Sequence, residues 1–221
     1  KSKGLTFLQP NNLKDETFLT DLKALNANIQ IVVAFRMLPK VVWQMPVLGT
    51  FNLHASLLPD YRGAAPINWA IINGEKETGV TTFFIDDKID TGAVIMQSKI
   101  EISATENAGE LHDKLMHLGS DLVIKTIQII ESGNIKTTIQ PIKETKTAYK
   151  LNKDNCKIDW SSSLKTIYNM VRGLYPYPSA WGLLSNGDEL LNIKLYEVLE
   201  HPESHEHKNG HLIVSNKAIK V

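Results

Sequence analysis

The 221-residue sequence predicts an α/β protein: a mainly parallel sheet with helices on both faces, followed by a smaller β-rich unit. Three observations predict it. Leu5–Leu8, Asp15–Asn26 and Ile29–Phe35 give strand, helix and strand patterns in turn, an order that favours parallel pairing through a right-handed crossover. The third run, I-Q-I-V-V-A-F, is apolar on both faces, as buried parallel strands are. Beyond Lys157 the pattern changes to alternation around an Asn186-Gly187 turn, the mark of a hairpin.

Each element has its own signal. Leu5–Leu8 is a short apolar run closed by Pro10, and Asp15–Asn26 carries Phe18, Leu22 and Leu25 at helical spacing. After Ile29–Phe35, the Arg36-Met37-Leu38-Pro39 turn leads into a helix, with Pro39 placed to start it. Thr50–His54 alternates as a strand, with Thr50, Asn52 and His54 on one face and Phe51 and Leu53 on the other. Pro59, Gly63 and Pro66 then impose an irregular loop. Pro66–Asn73 predicts a helix that buries Ile67 and Ile71, and Gly79–Ile85 and Ala93–Ile102 predict strands around Asp90. Glu106–Ser132 predicts a long helix with Leu111, Leu115, Leu118, Leu122 and Ile129 as its apolar stripe. The polar, aperiodic stretch that follows divides the chain into residues 1–132, a linker at 133–152 and a second unit at 153–221. That unit offers a helix over Ser163–Leu174 with Leu164, Ile167 and Val171 inward. A hairpin ending near Leu199, a polar loop over His201–Gly210 and two short strands follow, which suits an incomplete open barrel.

Lys plus Arg (24) equal Asp plus Glu (24), and from Lys153 onward there are eight of each, so no basic footprint for a nucleic acid shows. The single cysteine, Cys156, excludes an internal disulfide and fits a reducing compartment. No apolar run approaches a membrane span, so no membrane partner is expected, and Lys1 opens no signal-peptide pattern. The chain starts in mid-pattern and reads as a piece of a longer product, incomplete at both ends.

Chemistry concentrates between Thr50 and Asp90. Asn52 and His54 project together from one strand face, and an amide beside an imidazole suits an anionic tetrahedral intermediate. The amide donates to the developing oxyanion; the imidazole donates or shuttles a proton. Asp90 would orient the imidazole and favour its charged form.

The run N-L-H-A-S-L-L-P-D-Y-R-G-A-A-P-I-N-W together with I-D-T-G resembles the folate-dependent formyltransferase family. The A-A-P-I-N continuation is similar to its methionyl-tRNA branch rather than to the glycinamide ribonucleotide or UDP-aminoarabinose branches. The resemblance runs from Thr6 to about Leu199 and includes K-I-D-W and Y-P-Y-P-S-A-W. It implies a Rossmann-like catalytic domain lacking its first strand–helix–strand portion, an OB-like C-terminal domain, and formyl transfer from 10-formyltetrahydrofolate to the α-amino group of initiator methionyl-tRNA. It also implies catalytic roles for Asn52, His54 and Asp90. The folate co-substrate would lie against Arg36, Met37 and Leu38, with Ser56, Leu57, Leu58, Pro59, Ile85, Asp86 and Asp87. Arg62 and Gly63 would contact the acceptor substrate. No metal is implied, and the complete protein would be a monomer of the bacterial cytoplasm or, as an alternative, of the mitochondrial matrix.

Rival readings exist. Another formyltransferase of the family would act on a small amine or amino sugar. I-D-T-G-A is also the turn of an aspartic protease, although no second copy is present. A third reading is a non-catalytic RNA-binding module, against which the even charge balance argues. Asp86, Asp87 and Asp90 fit no standard metal spacing, and H-P-E-S-H-E-H-K-N-G-H, with His201, His205, His207 and His211, suits a solvated loop. Cys156, between Lys153 and Lys157, could have a lowered pKa yet reads as inert. Topology adds one expectation: Ile29–Phe35 should have few or no strands along one edge, leaving the chain inactive and prone to aggregate.

Overall fold

The computed structural model describes residues 3–34, 37–141, 146–204, 206–216 and 218–221, with Asn186 described by its backbone alone. In chain order the elements are α1 (Glu16–Ala24), β1 (Gln30–Val33), α2 (Lys40–Trp43), β2 (Thr50–His54) and β3 (Arg62–Gly63). They continue with α3 (Pro66–Ile72), β4 (Glu77–Phe84), β5 (Val94–Glu101), α4 (Ala108–Glu131) and β6 (Thr147–Ala148). The last are α5 (Leu164–Leu174), β7 (Ala180–Asn186), β8 (Glu189–Leu195), β9 (Ile213–Val214) and β10 (Ile219–Lys220). They gather into two compact units that interleave in sequence. One takes Lys1–Arg62, Gly79–Lys99 and Met116–Lys146, and the other Gly63–Thr78, Ile100–Leu115 and Thr147–Val221.

A four-stranded sheet in the order β1-β2-β4-β5 frames the first unit. β1 runs parallel to β2, Val32 beside Asn52, whereas β2 runs antiparallel to β4, Asn52 beside Phe83 and His54 beside Thr81. The sheet of this α/β fold is therefore mixed. Phe51, Val80 and Phe83 lie at or below 2% exposure. The buried positions along α4 in this unit are Gly119, Leu122, Thr126 and Ile130, a line at helical spacing. The Thr126 hydroxyl donates to the Leu122 carbonyl at 2.8 Å, so the Thr82 hydroxyl donates to Thr126 at 2.9 Å.

Three expectations need correction here. Leu5–Leu8 joins no strand among the described residues, and Leu5 and Phe7 are exposed. β1 is not buried on both faces: Ile31 is 40% and Val33 56% exposed. It pairs with β2 alone among the described residues, so the expected open edge is there. In α1, capped by Asp15 accepting from the Phe18 N–H, Leu25 ends the helix and is exposed rather than packed.

In the second unit, Cys156, Ile158, Val171, Leu174 and Ala180 form a core lined by Trp160, Ile167 and Met170. Ser163 caps α5 by accepting from the Thr166 N–H at 3.1 Å. Leu164 is 44% exposed, contrary to its expected inward place, because the first turn lies ahead of the buried stretch that begins at Asn169. β7 and β8 form the expected hairpin, turning at Gly187 with φ +63°, and β9 pairs with β10. No helix among the described residues is long and apolar enough to cross a membrane.

Candidate active site

Asn52 stands in the middle of β2 and His54 at its carboxyl end, one alternation apart and therefore on one face. His54 is 6% exposed. Its Nε2 lies 2.8 Å from the Tyr61 carbonyl. A carbonyl can only accept, so Nε2 carries the proton, and any second proton enters at Nδ1. Nδ1 faces Asp90 Oδ2 at 3.8 Å, an ion-pair distance longer than a hydrogen bond. Both side chains are largely enclosed, at 7% and 13% exposure, where such a pair is weakly screened.

The chain has to turn sharply to build this pair. Tyr61 adopts φ +60°, which belongs to the turn that sets its carbonyl against the imidazole. Asp90 sits at φ +54° in the turn after β4. Two residues on, a Cβ on Gly92 would stand 1.6 Å from the Phe84 carbonyl oxygen, so only glycine fits there.

Asn52 completes the face. Its Oδ1 is buried and has no hydrogen-bond partner among the described residues. A buried polar atom left alone costs about 1–3 kcal/mol, and an amide flip would place the NH2 there instead. A ligand oxygen meeting that NH2, or a ligand donor meeting the carbonyl, would remove the penalty.

The remaining residues singled out in the sequence fall into four groups. Ser56 and Leu58 are tied inward: the Ser56 hydroxyl donates to the Asp60 carbonyl at 2.7 Å, and buried Thr81 joins the Ser56 carbonyl to the Leu58 N–H. Gln97 adds bonds to the Leu58 carbonyl and Thr81, fixing the loop at Leu57 and at Pro59, which follows a cis bond. Asp86 and Asp87 are exposed. Asp86 accepts from Thr91 and from the Lys88 N–H, while Asp87 lies 3.6 Å from Lys40; Ile85 donates its N–H to Thr50. Met37 is exposed, Leu38 half-buried, and Arg36 lies outside the described residues, as does His205 of the histidine loop. Arg62 forks both Nε and Nη2 onto Gln140 Oε1, at 3.1 and 2.6 Å. Gly63, at φ +121°, lets the chain pass Ala148, whose carbonyl oxygen would be 2.4 Å from a Cβ.

Sequence reasoning missed Gln140, Thr81 and Gln97. Gln140 had no local signal, since it sits in a polar stretch without periodicity, fifty residues beyond Asp90. Cys156 is buried, and burial pushes its thiol above the ordinary value, outweighing the Asn152 backbone hydrogen bond that lowers it. The direction is opposite to the lowering that the flanking lysines suggested; the ammonium groups of Lys153 and Lys157 lie over the Trp181 ring at 5.2 and 5.5 Å.

Residues 1–127 match the Formyl transferase family, and residues 150–221 match the Formyl transferase C-terminal domain. The chain belongs to the formyl transferase family. Among relatives in the family, the methionyl-tRNA formyltransferase of Flavobacterium johnsoniae is 66% identical over 221 residues, which is all of this chain and 70% of that protein. The methionyl-tRNA formyltransferase of Bacteroides fragilis is 51% identical over 218 residues, covering 96% of this chain and 67% of its own length. A sugar N-formyltransferase from Shewanella has the same fold, with a TM-score of 0.69 at 20% identity over 90% of this chain and 80% of that one. An N-formyltransferase from Helicobacter canadensis, solved with folinic acid and dTDP-3-aminofucose, is 32% identical over 56% of this chain and 46% of its own, with a TM-score of 0.51. Family membership leaves the aspartic protease reading without support.

Proposed function

We propose that this chain transfers a formyl group from 10-formyltetrahydrofolate to the α-amino group of methionine carried by initiator tRNA. The 66% identity to a methionyl-tRNA formyltransferase along the whole chain carries the substrate assignment. The chemistry is supported by the buried Asn52 Oδ1, without a hydrogen-bond partner among the described residues, beside the enclosed His54–Asp90 pair. The formyl donor supplies the carbon that the amine attacks. A new C–N bond forms, the carbonyl oxygen becomes an oxyanion, and the bond from carbon to the folate nitrogen then breaks.

The residues of the site match the charges of that sequence. The Asn52 NH2 donates to the oxyanion, preorganised on a strand. His54, with Nε2 held by the Tyr61 carbonyl and Nδ1 turned toward Asp90, lies beside the same region and is placed to pass a proton. Asp90 takes part in moving the proton that leaves the amine and reaches the folate nitrogen. The loop Ser56–Pro59, the turn Ile85–Asp87 and the segment Arg36–Leu38 would hold the folate. Arg62 and Gly63 would meet the acceptor. We assign residues 1–132 to catalysis, 133–152 to a linker and 153–221 to an OB-like domain, in a protein of the bacterial cytoplasm that is monomeric when complete.

One assay tests this. The full-length protein is given charged initiator tRNA and 10-formyltetrahydrofolate, and formyl-methionine is measured after deacylation. Formylation of the initiator and not of an elongator methionyl-tRNA is expected. Transfer to a free amino sugar in place of the tRNA would move the chain to another branch.

A further inference from the structure

We propose that Gln140 is a positioning residue that sets the Asp90 carboxylate against His54, an inference that rests on the formyl-transfer reading above. Gln140 is 6% exposed, and its amide is saturated. Arg62 Nε and Nη2 can only donate, so they fix Oε1 at 3.1 and 2.6 Å. The carbonyls of Asp90 and Gly92 can only accept, so they fix Nε2 at 3.0 and 2.8 Å. Each proton of the NH2 therefore has one carbonyl, and the amide has one orientation.

The residue it holds is the one under strain. Asp90 at φ +54° is in the left-handed region, which is strained for a non-glycine residue. Gln140 ties down the carbonyls on both sides of Thr91 and so fixes the turn from which the Asp90 carboxylate reaches His54 Nδ1 at 3.8 Å. The positive guanidinium on Oε1 polarises the amide and strengthens the two N–H bonds opposite. Gln140 touches neither the imidazole nor the carboxylate; it acts through the turn.

Gln140→Glu is the informative variant. It preserves length and the acceptor for Arg62 but sets a carboxylate oxygen against two carbonyls. The full-length protein is studied as wild type, Gln140→Glu, Asp90→Asn and the double variant. The first readout needs no activity: imidazole 15N NMR of His54. Asp90→Asn is expected to shift the Nδ1 resonance, Gln140→Glu to shift it in the same direction, and the double variant to add nothing. In formyl transfer, Gln140→Glu should lower kcat about 10- to 100-fold, as displacement of a catalytic group by about 1 Å does. KM for both substrates should stay within about twofold, and the kcat loss should vanish in the Asp90→Asn background. An unchanged His54 resonance in Gln140→Glu, or losses that multiply in the double variant, would overturn the proposal. If wild type transfers no formyl group, the functional reading falls, while the NMR comparison still decides whether Gln140 places Asp90. Should Gln140→Glu fail to fold, Gln140→Asn, which keeps the amide and loses one methylene, decides by the same readouts.

Discussion

Asn52 is the residue whose surroundings ask most plainly for a ligand. Its half-buried side chain leaves a buried oxygen without a partner among the described residues, whereas most polar side chains in buried sites find one. Asn52→Ala removes that group and the oxyanion donor together. Turnover in formyl transfer is expected to fall about a hundredfold or more, with the KM for the formyl donor little changed. An Asn52→Ala enzyme retaining most of its kcat would remove the residue from the mechanism. Cys156 tests burial at the same scale. Its thiol is pushed upward by desolvation, so little thiolate exists near neutral pH in the folded chain. Alkylation by iodoacetamide at pH 8 should therefore be about tenfold or more slower in native buffer than in urea. Equal rates would mean the thiol is reachable and the core around it open.

At the level of elements, what the sequence disclosed depended on whether the signal was local. The strand at Thr50–His54 is legible because alternation and the flanking turn residues are contiguous, and α4 because its leucines repeat over many turns. Leu5–Leu8 misled because a short apolar run says nothing about whether a neighbouring strand exists to receive it. His54 and Asp90 could be named from residue chemistry and family resemblance, but Gln140 could not, since only the folded turn brings it to Asp90. That turn is itself testable. Gly92→Ala would drive a Cβ into the Phe84 carbonyl, backbone against backbone, which no rotamer change relieves. A loss of about 2–3 kcal/mol in urea unfolding is expected, together with reduced formyl transfer because Asp90 moves. A stability within about 0.5 kcal/mol of wild type would show that the turn yields easily. Ser163→Ala, which removes the cap of α5, should cost about 1 kcal/mol in the same measurement. No change would place the Thr166 N–H in contact with water instead.

At the level of the whole molecule, the edge of β1 that is unpaired among the described residues bears on behaviour in solution. β1 makes its ladder with β2 alone among the described residues, and Ile31 and Val33 are exposed along it. Strand edges with apolar side chains recruit other strands, and proteins ordinarily block them with charge, proline or a covering element. Neither a charge nor a proline occupies Gln30–Val33. The 221-residue chain by itself is therefore expected to self-associate, with its mean mass in sedimentation rising with concentration across the micromolar range. A lysine at an exposed edge position should oppose that pairing by placing a hydrated charge where a second copy would dock. Val33→Lys is suitable because Val33 is 56% exposed, so the substitution disturbs little packing. The variant should remain monomeric at concentrations where the parent associates, with unchanged far-UV circular dichroism. Equal association of both chains would show that another surface brings the copies together, for the substitution leaves every other exposed hydrophobic group in place.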